Sequence, residues 1–133
     1  MLIISLFYKN LSLRYYWIML PKQYRLKKRT AFNATYRLRN SFYKDGITVF
    51  CGKKNEKSIP TKIGFVVSKK IHKRAVKRNR IKRLMRESVR LYIKNTQNFE
   101  NKYISLIFVA SAKLLNKNFD DINKSILKIM ESL

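Results

Sequence analysis

The spacing of hydrophobic positions changes period twice along the chain. From Thr30 a short helix is predicted, with Phe32 and Tyr36 at i, i+4 on one side and Arg37 and Arg39 near its end. Asp45-Gly46 is a turn signal, and the β-rich run Ile47-Thr48-Val49-Phe50-Cys51 follows it. Residues 52–60 are polar and punctuated and read as a hairpin loop. Residues 61–68 (TKIGFVVS) read as a second long strand, buried around Phe65, Val66 and Val67. The period then becomes helical. On a wheel from about Arg74 to Ile93, Ile81, Leu84, Met85, Ser88, Val89 and Tyr92 share one face, and Asn79, Lys82, Arg83, Arg86 and Arg90 share the opposite one. Residues 103–110 (YISLIFVA) are almost continuously apolar, as a strand covered on both faces would be. A last helix follows Asn118, with Phe119, Ile122, Ile126, Ile129, Met130 and Leu133 on its apolar stripe. Strand, basic helix, buried strand, helix is the pattern of an α/β sandwich with a crossover helix.

Charge narrows the partner. Lys and Arg number 31 against 7 Asp and Glu, a formal net charge of +24 on 133 residues. A compact domain with that charge repels itself, and a dense polyanion relieves the repulsion best. The composition is nonetheless that of a folded chain: 46% of residues are hydrophobic, 13% are aromatic, and Gly and Pro number only 3 and 2. There is no internal repeat, and no linker long enough to divide the chain into separate domains. The lone cysteine, Cys51, excludes an internal disulfide and reads as a partly buried thiol on a strand.

The cation density peaks between Lys69 and Arg90, with eleven Lys or Arg residues against one acid, Glu87. Guanidinium groups fork onto phosphate oxygens, which an ammonium cannot do. With its apolar face on a sheet, the helix would present its arginines as a rigid comb. Such a comb suits the backbone of A-form RNA, whose deep major groove keeps side chains from the bases, and RNA is favoured over DNA on this ground. Aromatic residues supply a second ingredient, because rings beside a cationic surface stack unpaired bases. Phe32 and Tyr36, flanked by Lys27, Lys28, Arg29 and Arg37, point to a wet cleft; Phe50, on a strand, fits core and cleft equally.

The run Gly64-Phe65-Val66-Val67-Ser68-Lys69-Lys70, then Arg74-Ala75, then Arg78-Asn79-Arg80-Ile81-Lys82-Arg83-Leu84-Met85-Arg86-Glu87 resembles the signature of the bacterial ribonuclease P protein family, and Arg25-Leu26-Lys27-Lys28 with Phe32 and Tyr36 is similar to that family's first helix. The resemblance spans about Leu20 to Leu133. It implies an α+β domain in the order αβββαβα with a left-handed βαβ crossover, against the usual right-handed preference. It also implies that Lys69, Lys70, Arg74, Arg78, Asn79, Arg80, Lys82, Arg83 and Arg86 bind the catalytic RNA. Phe32, Tyr36 and Phe50 would form the cleft for the single-stranded 5′ leader of precursor tRNA. The RNA subunit and the Mg²⁺ it holds would hydrolyse the phosphodiester, with no organic cofactor, no obligate protein partner and a cytoplasmic location.

The acid inventory agrees with a non-catalytic protein chain. It consists of Asp45, Glu56, Glu87, Glu100, Asp120, Asp121 and Glu131. Only Asp120-Asp121 is clustered, and it is expected in the first turn of the last helix, where acids complement the dipole. His72 is the only histidine, so a two-histidine transphosphorylation site is impossible. Residues 1–18 are apolar and aromatic but carry Lys9 and Arg14. They match neither a spanning helix of about 20 uncharged residues nor a secretory signal. They are expected to be a dispensable extension to a domain over residues 19–133, the alternative being a weak membrane-surface helix. Rival functions are a ribosomal protein, which shares the electrostatics, and a helix-turn-helix DNA binder, which needs a helix where a strand precedes the basic helix.

Overall fold

The computed structural model describes residues 20–57, 59–96 and 102–133; what is expected of residues 1–18 lies outside them. The Asp45-Gly46 pair makes the turn its sequence announces. Both residues have positive φ, 51° and 89°, as a two-residue hairpin turn demands. It joins β1 (Ser41–Lys44) to β2 (Ile47–Cys51), with Lys44 opposite Ile47. Helix α1 (Arg29–Arg37) precedes this hairpin. After it come β3 (Lys62–Val66), α2 (Ala75–Asn95), β4 (Ser105–Ala110) and α3 (Phe119–Ser132), with single 3₁₀ turns at Lys22–Tyr24 and Ala112–Leu114. This is the expected α+β architecture in the order αβββαβα.

One sheet runs β1-β2-β4-β3. β4 is antiparallel to β2 and parallel to β3, and α2 makes the connection between the parallel pair. Residues 52–60 are therefore not a hairpin loop, because β2 and β3 never pair. The chain leaving β2 stays with the start of β4 instead: Gly52 N–H donates to Ser105 O (2.8 Å), Ile104 N–H to Lys53 O (2.9 Å) and Asn55 N–H to Lys102 O (2.8 Å). That extension occupies one side of β4 and leaves the other to β3.

Strand alternation divides the sheet into two unlike faces. Ile47, Val49, Cys51, Ile63, Leu106, Phe108 and Ala110 point to one, where they are buried with Ile81, Met85 and Val89 of α2 and Ile122, Ile126, Ile129 and Met130 of α3. Ser88, on the apolar arc of α2, is buried because its hydroxyl donates to Asn123 Oδ1 (2.6 Å). Burial pushes the Cys51 thiol up to about 11. At the start of α3 the Asn118 side chain accepts from Asp121 N–H (2.9 Å), and Asp120 and Asp121 lie in the first turn as expected.

Three local expectations need correction. Phe65 and Val66 are half-buried, Phe65 on the core face of an edge strand and Val66 on the opposite face, while Val67 is buried as expected. In β4 only Val109 departs from full burial. Arg90 does not stand on the open face of α2. Ser88, Val89 and Arg90 are all buried, and three successive helical residues can be covered together only where more than half the circumference is enclosed.

Candidate RNA interface

Helix α1 lies on the second face of the sheet, and three contacts fix it there. Thr35 and Ser105 hydroxyls meet at 2.6 Å. The Tyr36 and Phe50 rings pack edge to face, centroids 4.9 Å apart and planes at 78°. Phe32 abuts the backbone of β3 at Gly64. The aromatic trio is thus brought to one helix–sheet junction, with Tyr36 paired to Phe50 and Phe32 one helical turn away. All three are half-buried, so neither a pure core nor a pure surface describes them. Burial raises the Tyr36 hydroxyl pKa, keeping that group neutral at physiological pH.

Beyond Tyr36 and Phe50 this face is only partly covered. Thr48, Val109 and Val66 form a row across β2, β4 and β3 and are half-buried, and Tyr43 of β1, opposite Thr48, is 56% exposed. Val66, expected in the core, therefore belongs to this second face. The clue to its position is the alternation Gly64, Val66 against Ile63, Phe65, which an unbroken apolar run conceals.

The cationic residues separate into an open set and a tethered set. Lys69, Lys70, Arg74, Asn79 and Arg83 are exposed, as are Lys73 and Lys77 beside them. Arg78 instead folds back onto the approach loop, where its Nη1 donates to His72 O and Lys73 O, both at 2.8 Å. In the same loop His72 Nδ1 accepts from Arg74 N–H at 3.0 Å. Arg80 Nη2 donates to Lys117 O at 3.1 Å, tying α2 to the chain ahead of α3. A guanidinium has five donors, so each tethered arginine keeps N–H groups for a phosphate, now with its position fixed. Lys82 and Arg86 are half-buried.

Arg86 joins the two surfaces. A cavity of about 300 Å³ is lined by Phe32, Gly64 and Phe65 together with Arg25, Lys27 and Arg86. A comb residue and a cleft aromatic therefore share one concavity, with Lys27, which the sequence places beside the cleft, and Arg25, to which it assigns no site. The spacing Arg25, Lys27 shows nothing periodic; their placement comes from Leu26 N–H, which donates to Ile63 O at 3.0 Å and lays that segment along the outer edge of β3.

Among the described residues no three His, Cys, Asp or Glu side chains gather as metal ligands would. Nor is any helix among them long and apolar enough to cross a membrane. Cationic rows, a ring-lined cleft and a cavity where they meet are the equipment for gripping phosphates beside unpaired bases.

Comparison with known proteins gives the family. Residues 20–133 match the family model for ribonuclease P. The ribonuclease P protein component of Clostridium novyi is 32% identical over 112 residues, covering 84% of this chain and 95% of the relative. That of Clostridium kluyveri is 38% identical over 111 residues, covering 81% and 92%. The RNase P protein of Staphylococcus aureus superposes with a TM-score of 0.68 at 28% identity, over 84% of this chain and 95% of that one. With its signature residues, fold order and full-domain relatives in agreement, the chain belongs to the bacterial ribonuclease P protein family.

Proposed function

We propose that this chain is the protein subunit of a ribonuclease P ribonucleoprotein, in which it binds the catalytic RNA and the 5′ leader of precursor tRNA. It assists RNA-catalysed, Mg²⁺-dependent endonucleolytic removal of that leader, which makes the mature tRNA 5′ end. The observation that carries this reading is the shared cavity: Phe32 can stack an unpaired base while Arg86, Arg25 and Lys27 meet the phosphates on either side of it. Lys69, Lys70, Arg74, Arg78, Asn79, Arg80, Lys82 and Arg83 then face the catalytic RNA, and Tyr36 and Phe50 continue the leader track. On this reading the Mg²⁺ is held by the RNA, and the protein's part is to hold the leader and screen two polyanions from each other. Such a particle works in the cytoplasm and needs no obligate protein partner. The RNA that co-purifies with the tagged chain tests this. A single species that cleaves precursor tRNA is expected, and ribosomal RNA would replace this function with a ribosomal one.

Two further outcomes follow. Arg83 is exposed, so Arg83→Ala should lower the steepness of the salt dependence of RNA-subunit binding by about 0.7–0.9 while leaving the melting temperature unchanged. Arg80→Ala should lower both, because it also frees the Lys117 carbonyl. Binding titrations at several salt concentrations, run beside thermal melts, separate the two. Residues 1–18 are dispensable on this reading, and a chain starting at Met19 retains Leu20, which is 1% exposed in the core. It should fold and support cleavage like the full chain; a large loss of solubility or activity would assign residues 1–18 to the domain.

A further inference from the structure

Gly64 is buried in the middle of an edge strand, where glycine leaves the unfolded chain most to lose on folding and packs nothing. Its φ is not positive, so the backbone there would accept any residue. The constraint is space. A Cβ at Gly64 would stand 2.6 Å from Phe32 Cζ and 2.7 Å from Cε1, with Leu26 Cδ2 at 3.4 Å. Carbon atoms rest at about 3.5–4.0 Å, so a methyl group there must drive the Phe32 ring back by roughly 1 Å.

Helix α1 cannot take up that shift as a body. The turn after Phe32 is pinned by the Thr35–Ser105 hydroxyl contact at 2.6 Å and by the Tyr36–Phe50 packing at 4.9 Å. The displacement therefore falls on the Phe32 side chain, which must leave its rotamer. The atoms that meet Gly64 are the tip and one flank of the ring. In the native chain that end of the ring rests against the strand at Gly64, and Phe32 lines the cavity that Arg86 and Lys27 also line.

We infer that Gly64 is a positioning residue for the cleft: its missing side chain is the seat that holds Phe32 in the orientation for stacking an unpaired base. The inference rests on the reading of the cleft as the leader site. It adds that the glycine opening the Gly64–Lys70 signature run acts on leader recognition through Phe32 and not through strand conformation.

A double-mutant cycle tests this on the full chain reconstituted with a bacterial ribonuclease P RNA, using Gly64→Ala, Phe32→Ala and the pair. The readouts are the affinity ratio of leader-bearing precursor to mature tRNA, and the melting temperature. Gly64→Ala is expected to reduce the ratio about 5- to 150-fold, as Phe32→Ala does. The double variant should be no worse than Phe32→Ala, and it should melt above Gly64→Ala because the methyl group enters the space the ring has left. Additive losses, or a Gly64→Ala protein with full leader preference, would overturn the inference. Should Gly64→Ala alone fail to fold, recovery of folding in the double variant supports it and no recovery overturns it. Should Phe32→Ala leave the affinity ratio untouched, the leader reading fails instead. The seat then stands or falls on the melts alone, with coupled losses supporting it and additive ones overturning it.

Discussion

Phe108→Ala is expected to destabilise the domain by about 3–5 kcal/mol, a large fraction of the roughly 5–15 kcal/mol that typically holds a domain folded. Phe108 sits in β4, the strand flanked by both β2 and β3, and is 0% exposed. Its ring stacks on Phe65, centroids 5.6 Å apart and planes at 21°. Truncation removes that contact and opens a cavity between the sheet and its two helices, which two flanking strands prevent from closing. The melting temperature should fall by about 10–20 °C. Phe108→Leu, which keeps most of the volume, should lose far less. The effect extends to the interface, since Phe65 also lines the cavity containing Phe32 and Arg86. An unchanged melt for Phe108→Ala would mean that β4 is not the centre of the core.

The second large effect is on recognition. Tyr36→Ala should weaken binding of leader-bearing precursor tRNA by about 1–3 kcal/mol. Affinity for mature tRNA and for the RNA subunit should be nearly unaltered. Stacking at this cleft would take the unpaired leader bases that precursor tRNA carries and mature tRNA lacks, whereas on the proposed reading the cations of α2 would grip backbone whatever the leader's length. The loss is compounded because Phe50 is left without the ring that now meets it at 4.9 Å. Tyr36→Phe should behave like the parent chain, because the aromatic ring and not the neutral hydroxyl makes the contact. Competition titrations of precursor against mature tRNA, paired with thermal melts, decide this. Equal losses for both tRNAs would remove Tyr36 from the leader track, and a collapsed melt would place it in the core.

Much of this architecture is legible in the sequence because amphipathic period records which face of an element is covered. Ile81, Met85, Ser88 and Val89 of α2, and Ile122, Ile126, Ile129 and Met130 of α3, are buried as their spacing demands. Period does not record which element does the covering. Hence a β2–β3 hairpin is expected where β4 intervenes, and Arg90 is expected on an open face that is enclosed. Composition likewise locates the cations but not their partners. Arg78 and Arg80 read as comb teeth, yet Arg78 grips two carbonyls of its own approach loop and Arg80 one that only the fold brings near. The aromatic cleft is visible as residue types, and the signature run supplies its context. The seat at Gly64 is not visible, since it is a distance between two segments 32 positions apart in sequence.

The most direct measurement is cleavage of precursor tRNA at low Mg²⁺ by the purified chain, by a bacterial ribonuclease P RNA, and by the two together. Neither alone should remove the leader under those conditions, and the reconstituted particle should do so at the mature 5′ end. Cleavage by the RNA-free chain, abolished by replacing one of its acidic residues, would contradict this, as would a particle that needs as much Mg²⁺ as the RNA by itself.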